Sequence, residues 1–204
     1  MPVRPLVVRG SCALLSGLVA GVVTALLTLA GAAAAHADQV VLRDPAGDVT
    51  RTTFGGGSQP APRTRVGDVR RAAVRHGRHA VVVRVRYREL RRVGAYWLFE
   101  VRLRTGAHRY REVRVEATRH HWRGVERTFD QHGRRVACRV RHRIDYRRDV
   151  VRIQVPRACL GTPRRVRATV AGYRADRSRA RFYVDDPHDR TAATRGATRW
   201  LRAG

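Results

Sequence analysis

Five aspartates, Asp44, Asp48, Asp68, Asp185 and Asp186, fall at the expected ends of strands in a chain with 16 acidic residues against 43 basic ones. Grouped carboxylates offer the hard oxygen ligands that calcium takes. Aspartate also starts turns on its own account, because its side chain accepts hydrogen bonds from nearby backbone. No DxDxDG loop is present, so the ligand type is the whole of the signal. Asp44, Asp48 and Asp68 are the candidate ligands of a structural calcium, and no other cofactor is expected.

The second chemistry is cationic. Every basic residue is arginine; lysine and asparagine are absent, and the formal net charge is +27. GC-rich codons account for arginine in place of lysine but not for the excess over acid. Arg84, Arg86 and Arg88, and again Arg139, Arg141 and Arg143, recur at two-residue spacing. In a strand that spacing sets guanidinium groups about 7 Å apart on one face. Such rows fork onto phosphate, sulfate or carboxylate. The expected partner is an anionic cell-envelope polymer or glycan. Nucleic acid would satisfy the same charges, but the chain has no basic motif interleaved with aromatic rings, so it ranks lower.

Covalent catalysis is poorly supplied, and the chain reads as a non-enzyme. Beyond residue 37 the only serines are Ser58, in a glycine-rich stretch, and Ser178, in an arginine-rich turn. Neither sits in a G-x-S-x-G elbow, and without lysine no Schiff base can form. The histidines lie mostly in turns and form no HExxH. Glu89, Glu100, Glu112, Glu116 and Glu126 could supply a pair of acids for a hydrolase. Most of them lie among arginines, which favours ion pairing.

The elements that must position these groups are strands. Val136–Leu160 alternates apolar and cationic residues about a polar centre at Asp145–Asp149, the pattern of a hairpin. With its turn near Arg147, Cys138 falls close to Cys159, and the two are expected to form a disulfide worth roughly 3 kcal/mol. Tyr96–Arg104 and Arg109–Thr118 form a second hairpin about Gly106-Ala107. Its register pairs Phe99 with Val115 and Val101 with Val113 inside, and Glu100 with Arg114 and Arg102 with Glu112 outside. Further strands are expected at Gln39–Leu42, from Val66 to about Arg75, at Ala80–Leu90, Trp122–Phe129, Arg165–Arg174 and Arg179–Val184. Nine or ten short strands with turns between them predict an all-β fold, an antiparallel β-sandwich of jelly-roll-like type.

The chain opens as an export signal. Arg4 and Arg9 precede an uncharged run from Gly10 to Ala35, and Ala35-His36-Ala37 supplies a small-x-small cleavage site. As a helix the run would span about 39 Å, so an uncleaved anchor of the same topology is the alternative. That segment would be the only tie to a membrane. Residues 1–37 are thus the leader, 38–186 one sandwich domain with a flexible loop at 50–65, and 187–204 a flexible tail with Trp200-Leu201 as its candidate docking pair. A secreted or envelope-associated location follows, and the cysteine pair suits it.

The turn Asp44-Pro-Ala-Gly-Asp48, then Gly67-Asp68-Val69, the run Val81–Tyr87 and the segment Val155-Pro-Arg-Ala-Cys-Leu-Gly161 resemble exported actinobacterial sandwich proteins of unassigned function. More remotely, the first three are similar to the DOMON-like sandwiches that include family-nine carbohydrate-binding modules. That resemblance implies a structural calcium at the early Asp-rich turn, with Asp44, Asp48 and Asp68 at the matching positions. It also implies aromatic residues stacking on sugar. Trp122 and the nearby Tyr96 are the candidates for that alternative reading, since Trp97 is expected to face inward.

Overall fold

The computed structural model describes residues 37–188 and 196–204. The segment expected to be an export leader, apart from Ala37, lies outside the described residues. Two antiparallel sheets pack face to face into a β-sandwich. One holds β1 (Asp38–Arg43), β4 (Val69–His76), β5 (Ala80–Tyr87), β10 (Val150–Pro156) and β9 (Arg141–Asp145), in the order β1-β4-β5-β10-β9. The other runs β3 (Ser58–Pro60), β2 (Thr50–Thr53), β12 (Arg181–Asp185), β11 (Arg165–Ala175), β6 (Tyr96–Thr105), β7 (Tyr110–Thr118) and β8 (His121–Phe129). A last short strand, β13 (Leu201–Arg202), adds to β11.

The core follows from period-two alternation. Val81, Val83, Val85 and Tyr87 of β5 face Trp97, Phe99, Val101 and Leu103 of β6, all buried. Trp97 and Phe99, two residues apart on one face, stack with centroids 5.6 Å apart. Tyr87 from the opposite sheet meets both edge-on, at 6.1 and 6.0 Å. Each such pair adds about 0.5–1.5 kcal/mol beyond the buried area. In β4 the sequence Val69-Arg-Arg-Ala72 breaks strict alternation. A β-bulge between Val69 and Arg71 takes up the extra residue and leaves both arginines exposed.

The β6–β7 register is the expected one, with Phe99 opposite Val115, Glu100 opposite Arg114 and Arg102 opposite Glu112. Three expectations need correction. The Cys138 hairpin is shorter than its pattern suggests, because β9 begins only at Arg141. Residues 136–140 leave the ladder to carry the chain from β8, whose Thr128 carbonyl accepts the Val136 N–H, across to the other sheet. The sheets lie about 10 Å apart, and crossing that gap takes backbone out of pairing. The Cys138–Cys159 disulfide forms as expected, with Cα atoms 5.7 Å apart, and ties this crossing to the 3-10 turn Arg157–Leu160 after β10.

The loop expected at 50–65 contains the paired strands β2 and β3. Their side chains are polar on both faces, so no apolar alternation marks them. Backbone pairing and the Thr52–Ser58 and Arg51–Gln59 side-chain contacts hold them at a sheet edge. The tail expected to be flexible over 187–204 is docked over its described end, 196–204. Leu201 is fully buried, and the Ala168 N–H donates to Thr198 Oγ1 at 3.0 Å.

Candidate cation centre and arginine face

Four aspartates meet at one end of the sandwich. Asp44 follows β1, Asp48 precedes β2, Asp68 precedes β4 and Asp185 ends β12. Carboxylate oxygens of Asp44, Asp48 and Asp185 lie within 4.8 Å of one another. Asp68 is fully buried beside them, and its charge acts on all three. Local geometry sets each acid. Asp68 Oδ2 accepts the Gly47 N–H at 3.0 Å, closing the Asp44–Asp48 turn, and lies 3.5 Å from Arg88 Nη1. Asp185 Oδ2 accepts the Val69 N–H at 2.6 Å. Gly67 adopts φ +97°, and a Cβ there would come 3.1 Å from the Trp97 ring, so only glycine fits the turn that delivers Asp68.

The electrostatics of this group are unbalanced. Asp44 Oδ2, both oxygens of Asp48 and Asp68 Oδ1 are buried without a hydrogen-bond partner. Burial, then the charges of Asp185 and Asp48, push the Asp44 carboxyl up to about 9. Burial, then Asp48 and Asp68, push Asp185 up to about 8. Asp48 is raised as well, chiefly by burial. Buried like charges this close must share protons or surround a cation. The donors are all carboxylate oxygens, which suits a hard ion such as calcium, so the residues present fit the ion implied by the sequence resemblance. Asp185 was visible as a turn acid, but nothing in the sequence places it across the sandwich from Asp44.

The outer face of the five-stranded sheet is the second feature. Strand register lays out three rows across it. One runs Arg43, Arg71, Arg86, Val150, Asp145; the next Val41, Ala73, Arg84, Arg152, Arg143; the third Gln39, Arg75, Val82, Gln154, Arg141. The central part of these rows, with Arg148, floors a trough of about 630 Å³ in which Asp145 is the one acidic lining residue. Asp145 pairs with Arg143 at 3.3 Å. Among the described residues, Arg71, Arg75, Arg84, Arg86 and Arg152 have no ion pair.

Of the arginines picked from the sequence, Arg84, Arg86, Arg141 and Arg143 share this face. Arg88 does not, since β5 ends at Tyr87 and Arg88 turns to Asp68. Arg139 lies in the crossing before β9 and is off the ladder. Arg71, Arg75 and Arg152 were not singled out. Arg152 lay in plain alternation with Val151 and Ile153, whereas the bulge hid Arg71.

The outer face of the other sheet sets glutamates among its arginines, although Arg104 and Arg167 stand opposite each other there without an ion pair. Arg102 Nε lies 2.7 Å from Glu100 and 3.3 Å from Glu112, Arg114 pairs with Glu112, and Arg127 lies 3.2 Å from Glu116. With Glu89 paired to Arg91, four of the five glutamates weighed as acids are held by arginine.

The aromatic pair weighed for sugar stacking does not converge. Trp122 is half-buried against the core and meets Tyr146 edge-on at 6.2 Å. Tyr96 packs on Phe182, with centroids 6.5 Å apart, on the opposite face of the same sheet. Both serines beyond residue 37 are engaged, Ser58 across the β2–β3 ladder and Ser178 in a turn. Ser58 Oγ lies 2.9 Å from Thr52 Oγ1, and Ser178 Oγ donates to Asp176 at 2.7 Å. No protein-family model, curated protein or solved structure matches this chain. Among the described residues no helix is long and apolar enough to cross a membrane.

Proposed function

We propose that this chain is an exported, non-catalytic β-sandwich that binds a linear anionic polymer of the cell envelope across the outer face of its five-stranded sheet. The observation that carries this reading is the asymmetry of the two outer faces. One sets Glu100, Glu112 and Glu116 among its arginines and pairs Arg102, Arg114 and Arg127 with them; the other leaves Arg71, Arg75, Arg84, Arg86 and Arg152 without carboxylate partners in a shallow trough. Arginines on adjacent strands stand about 4.8 Å apart and along a strand about 7 Å apart. A polymer carrying phosphate or carboxylate groups at short repeat can engage several of them at once. The leader and the disulfide support export. The engagement of both serines in side-chain contacts supports a binding role over acyl chemistry. A calcium-stabilised sugar-binding module is the weaker reading, because Trp122 and Tyr96 lie on opposite faces.

Retention of the purified protein on immobilised polyphosphate, anionic polysaccharide and neutral glucan tests it. Retention on the anionic matrices alone, lost at high salt, is expected. Arg84→Ala/Arg152→Ala should reduce the dependence of log affinity on log salt by about 1.4, roughly 0.7 for each contact. Arg119→Ala/Arg177→Ala, which removes the same charge from exposed turns elsewhere, should change the slope much less. Equal effects of the two pairs would leave only non-specific charge attraction. Salt-resistant retention on neutral glucan would replace this reading with the sugar-binding one.

A further inference from the structure

The aspartate cluster joins the two sheets, which gives it a role separate from the arginine face. Asp44 and Asp68 are attached to β1 and β4 of the five-stranded sheet, and Asp48 and Asp185 to β2 and β12 of the other. At this end of the sandwich, one link already present is the hydrogen bond from Val69 N–H to Asp185. Around it sit buried carboxylate oxygens with no donor: Asp44 Oδ2, Asp48 Oδ1 and Oδ2, and Asp68 Oδ1. Asp44 is 8% exposed and Asp68 fully buried, so water cannot readily serve them. Arg88 neutralises Asp68 in part. Among the described residues, no basic side chain lies at salt-bridge distance from the other three carboxylates.

We propose that Asp44, Asp48 and Asp185, with Asp68 at their side, bind one calcium ion, and that this ion clamps the two sheets of the sandwich together. The geometry points to calcium because every donor is a carboxylate oxygen and the ligands come from separate loops. Calcium tolerates such irregular oxygen shells, whereas magnesium demands near-ideal octahedral geometry and keeps much of its water. Asp185 is the decisive residue. It adds a ligand from β12, far along the chain, to a site that the Asp44–Asp48 turn alone would confine to one segment between β1 and β2.

The test uses the purified protein stripped with chelator and then titrated with calcium by calorimetry and thermal melting. One ion per chain, a dissociation constant of about 10⁻⁴ M or tighter, and a melting temperature that climbs with calcium are expected. Terbium provides a second readout. The Trp97 ring packs against Gly67, next to Asp68, so its excitation should sensitise terbium emission, and calcium should quench that emission by competition.

Asp185→Asn keeps the shape while removing one repelling charge. It should fold, melt no lower than the stripped parent, and lose calcium response and terbium emission by at least tenfold in affinity. Its retention on polyanion should be unchanged, which separates failure of this site from failure of the arginine face. No heat and no melting shift on adding calcium would overturn the proposal. Undiminished binding in Asp185→Asn/Asp44→Asn would place the ion elsewhere and overturn it too. A response to magnesium at equal or lower concentration would overturn the choice of ion.

Discussion

Two histidines, His76 buried and His188 half-buried, hold backbone in this sandwich. His76 Nδ1 lies 3.0 Å from the Leu201 carbonyl and anchors the C-terminal strand. His188 Nε2 accepts the Val170 N–H at 3.0 Å. An imidazole that accepts at Nε2 must be neutral there, and protonation would set two donors against each other. Burial holds His188 down to about 4 and also lowers His76. The unfolded chain titrates near 6.5, so as pH falls it takes up these protons before the folded one does. The stability owed to these groups is complete above about pH 6.5 and drains away as pH falls towards about 4. Asp44 and Asp185, raised by burial, bind protons first in the folded chain and pull the other way, so the histidine share is read against His188→Gln, whose side-chain oxygen can accept the same N–H. Urea midpoints of the parent should fall relative to those of His188→Gln as pH goes from 7 to 4. A constant difference would mean that His188 does not stay neutral in the folded state. None of this was legible in the sequence, where His76 reads as a turn residue and His188 as part of the tail. Whether an imidazole is buried depends on a strand partner far along the chain.

The Cys138–Cys159 bridge acts on an element rather than on a residue. It closes a segment with a separation of 21 that contains β9, β10 and their turn, and it secures the point where the chain passes between sheets. By chain entropy a bridge of this span contributes about 3 kcal/mol. Cys138→Ser/Cys159→Ser should lower the unfolding free energy by about that amount in urea titrations. Hydrogen exchange should rise first at β9, an edge strand whose other side has no ladder partner in its sheet. A loss spread evenly over both sheets would contradict the local role. Element legibility follows the same physics. β5, β6, β7 and β10 were readable because one face of each is apolar, and the β6–β7 register because Glu100, Arg102, Glu112 and Arg114 can pair in one alignment only. β2 and β3 were not, since Thr, Ser, Gln and Arg carry no face preference. The crossing before β9 kept its alternation of Val and Arg although it left the ladder, so the pattern could not reveal where pairing stops.

Across the whole molecule, charge is sorted by surface. Buried negative charge collects at one end of the sandwich, glutamates neutralise arginines on the outer face of the larger sheet, and the smaller sheet carries positive charge with one acid in its trough. The last arrangement has a cost. Arg71 opposite Arg86, Arg84 opposite Arg152 and Arg152 opposite Arg143 are like charges directly across a ladder. Each such pair destabilises by about 0.2–1 kcal/mol. The larger sheet also sets Arg104 opposite Arg167 and Arg114 opposite Arg127, but there Glu112 and Glu116 pair with Arg114 and Arg127. Among the described residues, Arg71, Arg84, Arg86 and Arg152 have no such carboxylate partner, which agrees with a surface open to a polyanion. Neutralising two of these residues in Arg84→Gln/Arg152→Gln should then stabilise the protein by about 1 kcal/mol at low salt, a rise in Tm of about 2–4 °C. The gain should shrink as salt screens the parent's repulsion. In the presence of polyphosphate the order should reverse, because the parent gains binding energy that the variant has given up. A variant that melts lower than the parent at low salt without polyanion would show that these arginines stabilise the sheet by packing. The arginine face would then be a structural surface rather than a binding one.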